Sequence, residues 1–335
     1  MRPPRVWRDL LILYSLAISI GFPAVDGTVT NRTTGKPQPG ATVTLYKLGQ
    51  NGLESVESVK SDPAGKFRID QNLQGPRLLQ TAYDGVTYNH MLPPGAPTAG
   101  VALDVYNSIK QPGSAKVMQH MVLLEPSGSE MAVSESFIWM NTGKTTFNDP
   151  QGGTLRFYAP LESKSIQVNA TAPQGMPIRR APEATGEPNV YKIDFPIKPG
   201  ESNINVNYTL PFTSPGKFEG KIFYKGGPTS LIVPQGVQLK GEGLESRGQE
   251  PRTKASIYQT TAATYKLEIE GSGALQRSEA AEPEQSGPQL QFVLPKLYDK
   301  LYWILALSFS ILLLGFVLLY RAGQAGVPSA PPKKR

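Results

Sequence analysis

One run, "LYWILALSFSILLLGFVLLY" from Leu301 to Tyr320, constrains this chain more than any other stretch, because it holds 20 residues without a charge. At a rise of about 1.5 Å per residue, such a helix matches a hydrocarbon layer of roughly 30 Å. Tyr302 and Trp303 at one end and Tyr320 at the other suit the two membrane interfaces. The run is apolar on every face, whereas a helix packed on a globular domain keeps a polar stripe. A single transmembrane helix is therefore expected over 301–320. Arg321, Lys333, Lys334 and Arg335 follow it with no acidic residue, while Lys296, Asp299 and Lys300 precede it. That basic excess places a tail, 321–335, in the cytoplasm.

At the other end, Arg2, Arg5 and Arg8 stand before an apolar stretch over 10–22. This is the layout of a secretory signal peptide over 1–24. An uncleaved anchor is the alternative, because Phe22 sits badly before a cleavage after Ala24. In either case the body, about 25 to 300, is expected outside the cytoplasmic membrane, in the periplasm or at the cell surface. The formal charge of +7 then loses its apparent meaning. Seven of the 34 basic residues and one of the 27 acidic residues lie in the two cytoplasmic ends, which leaves the body near +1. Such a body has no nucleic-acid footprint. The absence of cysteine excludes a disulfide framework, a thiol nucleophile and a thiolate metal site. An exported chain without cysteine fits a bacterial envelope.

Within the body the period is that of strands. Ala41, Val43 and Leu45 alternate with Thr42, Thr44 and Tyr46, and Phe67 and Ile69 alternate with Lys66, Arg68 and Asp70. "LLQTAYDGVTYNHM" reads as a hairpin through Asp84-Gly85, and "VALDVYNS" closes the unit. A small antiparallel sandwich is expected over 25–107. A second β-rich region covers 116–270. Its best strand places Ile204, Val206, Tyr208, Leu210 and Phe212 on one face and Asn203, Asn205, Asn207 and Thr209 on the other. Met131, Val133, Phe137 and Trp139 alternate likewise, and eight or nine strands in all point to a second sandwich. Residues 271–298, rich in Gly, Ser, Glu, Pro and Gln, read as a flexible linker. The fold class is thus all-β, two tandem β-sandwich domains plus a C-terminal transmembrane helix.

The first of these regions resembles a known family. "GTVTNRTTGKPQPGATVTL" followed by "SDPAGKFRID" is similar to the carboxypeptidase regulatory-like domain, a transthyretin-like fold. The matching positions are Gly27, Val29, Thr34, Gly35, Pro37, Gly40, Ala41, Val43, Gly65 and Phe67. The resemblance covers about 80 of the 335 residues. It implies a seven-stranded sandwich that serves as a folding, stability or contact module, with related sandwiches binding carbohydrate. It implies no activity of its own.

An enzyme finds little support in the residues. A zinc carboxypeptidase needs His-x-x-Glu and a distant second histidine. The chain has two histidines, His90 and His120, and neither has a carboxylate three residues on. A serine hydrolase needs a base beside its nucleophile, and no Gly-x-Ser-x-Gly elbow exists. A glycosidase-like carboxylate pair depends on the fold, and nothing marks one. "NTGKTTF" lacks the first glycine of a phosphate loop and reads as a hairpin turn, and "FNDPQGG" is turn chemistry. The expected function is therefore non-catalytic: interaction or assembly with an unknown envelope protein at the outer face of the membrane, without a cofactor or metal. The alternative is a cell-wall glycan as partner. Asn203, Asn205 and Asn207 would then supply hydrogen bonds, and Tyr83 and Tyr88 stacking platforms.

Overall fold

The computed structural model describes residues 25–275, except 50–51, 72–74 and 225, and the helix Leu301–Gln324, in which side chains are described for 306–317. The expected signal, most of the expected linker and the end of the tail lie outside the described residues. Residues 25–275 belong to one compact unit and the helix to another. The described chain is mostly β.

Strand alternation sorts residues in 25–107 as expected. Val43, Leu45, Phe67 and Ile69 are buried and share one cluster with Val25, Val29, Leu79, Val86 and Leu103. Two four-stranded sheets supply this first core. One runs in the order Gly52–Lys60, Thr42–Gly49, Arg77–Tyr83, Val86–Leu92. The other is built on Val25–Asn31, which pairs with Lys36–Pro37, Lys66–Ile69 and Val101–Val105. The hairpin through Asp84-Gly85 is present, with Tyr83 opposite Val86. Asp84 (φ 49°) and Gly85 (φ 73°) both take the positive φ that a two-residue turn of this hand requires.

One expectation is corrected here. Val101–Val105 lies parallel to Val25–Asn31, from Gly27 opposite Val101 to Asn31 opposite Val105, so the unit is not purely antiparallel. Alternation reports which face a side chain takes and is blind to the direction of the partner strand. The parallel neighbour also explains Gly27: a Cβ there would stand 1.9 Å from the Val101 carbonyl oxygen.

The second core rests on an eight-stranded sheet. Its order is Ile178–Arg180, Lys164–Thr171, Gly200–Pro211, Glu130–Asn141, Ala115–Ser127, Thr229–Val233, Ser256–Thr260, Glu245–Gln249. Two three-stranded sheets share its core. Leu155 and Ile193 come from one and Phe218, Leu267 and Ile269 from the other, against Val133, Phe137, Ile204 and Val206. Ile204, Val206, Tyr208, Leu210 and Phe212 are all buried, as their alternation requires.

The count of eight or nine strands falls short, since 15 strands are described from Ala115 onward. The largest omission, Ala115–Ser127, has a physical cause. Its register shifts between Val117 and Gln119, so Met118 and Gln119 both face outward and the period breaks. "NTGKTTF" is not a hairpin turn either. Asn141 Nδ2 donates to the carbonyls of Thr145 (2.8 Å) and Ile197 (3.1 Å), and the chain runs on into Thr146–Phe147. That short strand pairs in parallel with Ser108–Ile109, so it joins the two cores instead of folding back. "FNDPQGG" is the expected turn: Asp149 Oδ1 accepts from the amides of Gln151 (3.2 Å) and Gly152 (3.0 Å).

The helix Leu301–Gln324 encloses the apolar run. Among the described residues no helix is long and apolar enough to cross a membrane.

Candidate functional site

The two histidines part ways. His120 points into the second core, while His90 is exposed on Val86–Leu92. His120 Nδ1 lies 3.0 Å from Thr229 Oγ1, and its Nε2 lies 3.4 Å from Glu135 Oε2. Tyr208 Oη donates to Glu135 Oε1 at 2.9 Å. The imidazole stacks on Phe137, with ring centres 4.4 Å apart. Carboxylate, imidazole and hydroxyl thus stand in the order of a nucleophilic relay. Thr229 is 1% exposed and His120 4%, so a substrate has no approach to that hydroxyl. Burial, and then the Glu135 charge, push the Tyr208 hydroxyl well above its ordinary range, so it stays a donor. Among the described residues no group of three or more His, Asp and Glu could hold a metal ion.

The accessible chemistry lies where the first core meets the second. Polar side chains fasten this seam. Asn31 Nδ2 donates to Asn107 Oδ1 at 2.7 Å, and Tyr83 Oη donates to the same oxygen at 3.1 Å. The Asn107 amide donates to Thr33 Oγ1 at 2.9 Å, and Thr33 Oγ1 donates in turn to the Lys144 carbonyl. Ser108 is held at both ends by Asp84. Tyr88 Oη donates to the Tyr106 carbonyl at 3.0 Å and shares a 2.9 Å hydrogen bond with Thr146 Oγ1. Burial pushes the Tyr88 hydroxyl up to about 12.

Lys198 stands at the centre of the seam. Its ammonium donates to the Thr87 carbonyl and lies 5.0 Å from the centre of the Tyr88 ring. Burial first, and then the positive charge of Arg180, bring it down from 10.5 to about 8. Two cavities share this lysine and the loop that carries Gln174 and Gly175. A cleft of about 260 Å³ is lined by Thr81, Tyr88, His90 and Tyr106. Thr81 Oγ1 is buried there without a hydrogen-bond partner. The second is a groove of about 460 Å³. Leu53, Met91, Met176 and Ile178 line it, and they are 47%, 49%, 61% and 43% exposed. Leu53, Met91 and the Met176–Ile178 pair come from three segments, so only the folded chain collects them.

The residues put forward for glycan contact fall into two places. Asn203, Asn205 and Asn207 lie half-buried on the outer face of the long sheet, with Asn169 opposite Asn205 and Gln167 opposite Asn207. Tyr83 and Tyr88 lie at the seam, their hydroxyls engaged as described. None of the three asparagines lines either seam cavity. Sequence reasoning missed Lys198, Met176 and Ile178, which sit in proline-bearing loops or short edge strands without a period. It also missed Glu135, whose signal was legible: a carboxylate at an inward position between Val133 and Phe137.

No protein-family model matches the chain, and no curated protein matches its sequence. Among solved structures it is similar to an M1 zinc metallopeptidase from Deinococcus radiodurans, at 11% identity and a TM-score of 0.25, over 47% of this chain and 42% of that one. A substituted form of a two-domain M1 zinc metallopeptidase bound to L-tryptophan gives 11% identity and a TM-score of 0.26, over 50% of this chain and 44% of that one. The chain therefore spans less than half the length of these proteins. At such scores the likeness carries no argument about fold or activity.

Proposed function

We propose that this is a non-catalytic envelope protein, anchored by the 301–320 helix, whose exported β body binds another envelope protein through the seam groove. One observation carries the reading: Leu53, Met91, Met176 and Ile178 converge, each more than 40% exposed, on a single groove. A contiguous apolar patch on a water-facing surface marks a contact site, whereas singly scattered apolar residues do not. Lys198 and Arg180 line the same groove against one carboxylate, Asp194. The partner segment is accordingly apolar and carries an acidic residue. In this reading each core is a β-sandwich, the first of the carboxypeptidase regulatory-like kind, serving as a contact module. The exported side follows from the basic tail and the N-terminal arginines.

The test is crosslinking in native membranes from a photoreactive residue placed at Met176. A discrete protein adduct is expected, and Met91→Glu with Ile178→Glu should abolish it at unchanged protein level. An adduct that survives both charges would refute the groove as the contact. Protease added outside intact cells should cut within 276–286 and spare Lys333 and Lys334, and the reverse pattern would overturn the orientation.

A second reading, glycan binding, is favoured by the amide array on the long sheet. Asn203, Asn205 and Asn207 stand beside Asn169 and Gln167, a flat row of donors and acceptors suited to sugar hydroxyls. Retention on immobilised wall polysaccharide that is lost in Asn205→Ala would support it.

A further inference from the structure

Lys198 lines both seam cavities, the cleft of about 260 Å³ and the groove of about 460 Å³. Its direction is fixed. Nζ donates to the Thr87 carbonyl in an exposed hydrogen bond and lies 5.0 Å from the centre of the Tyr88 ring. The charged or titratable groups that line the cavities with it are Tyr88, His90, Asp104 and Tyr106 in the cleft, and Arg180 and Asp194 in the groove. Asp104 is taken by Arg32 at 2.8 Å. Among the described residues no carboxylate pairs with Lys198 or Arg180. Arg180 is the neighbour whose charge bears on the Lys198 ammonium, and it repels.

Arg180 is placed as firmly. It stands opposite the buried Val168 at the edge of the long sheet, and its guanidinium carbon lies 5.8 Å from the centre of the Phe195 ring. No acceptor among the described residues reaches the guanidinium. Two cations thus share one groove with no anion paired to either. Burial and Arg180 bring the Lys198 ammonium down to about 8, so a share of it is an uncharged, nucleophilic amine near neutral pH. Charge decides which electrophile suits it. An aldehyde would give a protonated imine and leave a cation beside Arg180. An acyl group would give a neutral amide and needs an activated donor. Carbon dioxide gives an anion, which turns the repulsion into an attraction and needs no further reactant.

We propose that Lys198 is a carbon dioxide site: uncharged Nζ adds to the carbon, a C–N bond forms as one C–O π bond opens onto oxygen, and Nζ releases one proton to solvent, leaving a carbamate. Nothing is oxidised or reduced. The remaining N–H keeps the Thr87 carbonyl as its acceptor, and the carbamate oxygens accept from Arg180. The reaction needs no protein in the groove, so it does not depend on the reading given to that groove.

The test equilibrates the full-length protein in detergent with isotope-labelled bicarbonate at about pH 8. Triethyloxonium then fixes carbamates as ethyl esters, and mass spectrometry of peptides locates the label. Lys198 should carry at least about tenfold more label than the exposed Lys217, because more of its amine is uncharged. It should lose the label on transfer to buffer free of carbon dioxide before fixing. Arg180→Gln should lower the label at Lys198 by about tenfold, since it removes both the repelling charge and the donor to the carbamate. Arg180→Lys, which restores a cation, should recover part of it. Label at Lys198 no higher than at Lys217, or label that survives the transfer, would overturn the site. Unchanged label in a folded Arg180→Gln would overturn the assigned geometry. Should that variant fail to fold by circular dichroism, the comparison of Lys198 with Lys217 in the parent chain still decides.

Discussion

Among its described residues the first core, from Val25 to Val105, buries no charged group; the buried polar side chains described there are Asn31, Ser61 and Thr81, with Tyr88 sending its hydroxyl out to the seam. The second core encloses a carboxylate and an imidazole, Glu135 and His120, at 7% and 4% exposure. Both combine local hairpins, through Asp84-Gly85 in the first and with Ser127 opposite Glu130 in the second, with strands distant in sequence. The second differs in turning polar side chains inward from several of its strands. Glu135, Tyr208, His120 and Thr229 come from four of them. Buried polar groups are costly without partners, and here Tyr208 and His120 reach Glu135 while Thr229 reaches His120, so this cluster ties four strands to one register.

That contrast is most easily broken at Glu135. Glu135→Ala leaves the Tyr208 hydroxyl and His120 facing an apolar gap, and should cost about 3–5 kcal/mol in urea unfolding. Glu135→Gln keeps an acceptor for Tyr208 and should cost less. A loss below about 1 kcal/mol for the alanine variant would show that the cluster does not hold the register. Next comes the first core. Gly27→Ala drives a methyl against the Val101 carbonyl, so the parallel strand must move, at about 2–3 kcal/mol. Gly35→Ala, with nothing within 4 Å and only its φ of 72° to strain, should cost about 1 kcal/mol. Equal costs would mean that the close approach at Gly27 is relieved cheaply.

The seam sharpens the comparison through pH. Lys198 loses its proton near pH 8 in the folded chain and near its ordinary 10.5 when unfolded. Between those values the unfolded chain binds more protons, so stability rises with pH across the window. Below pH 8 the cost of holding the half-buried ammonium is present in full. The gain from pH 7.5 to 10 should be about 2 kcal/mol, and Lys198→Met should flatten it. A parallel pH profile in the methionine variant would remove Lys198 as its source. The smallest effect belongs to the outer face of the long sheet. Asn205→Ala should change stability by no more than about 0.5 kcal/mol, because the side chain is half in water. A larger loss would mean that the amide row is a structural ladder.

Much of the framework was legible in the residues. The alternation through Val43 and Leu45, and through Ile204 to Phe212, identified the buried faces without error, because a strand's period is a property of its own backbone. Asp84-Gly85 announced its turn for the same reason, since only certain residues accept positive φ. The strand Ala115–Ser127 stayed hidden because a bulge at Met118 put two successive residues on one face. The Asn203, Asn205, Asn207 row was visible as a polar face, yet the amides opposite it, Asn169 and Gln167, belong to another strand, Lys164–Thr171, well away in sequence.

The sequence by itself determined the β character of the body, its inward and outward faces, several of its turns and the apolar run inside the C-terminal helix. Each depends on residues that are neighbours along the chain. Tertiary structure alone decided that Val101–Val105 runs parallel to Val25–Asn31, that Glu135 meets His120 and Tyr208, and that Lys198 lies under Tyr88 beside four exposed apolar side chains. Those juxtapositions depend on which strands pair and in which register, and pairing is settled by the packing of whole faces against one another, a quantity that no short stretch of the chain contains.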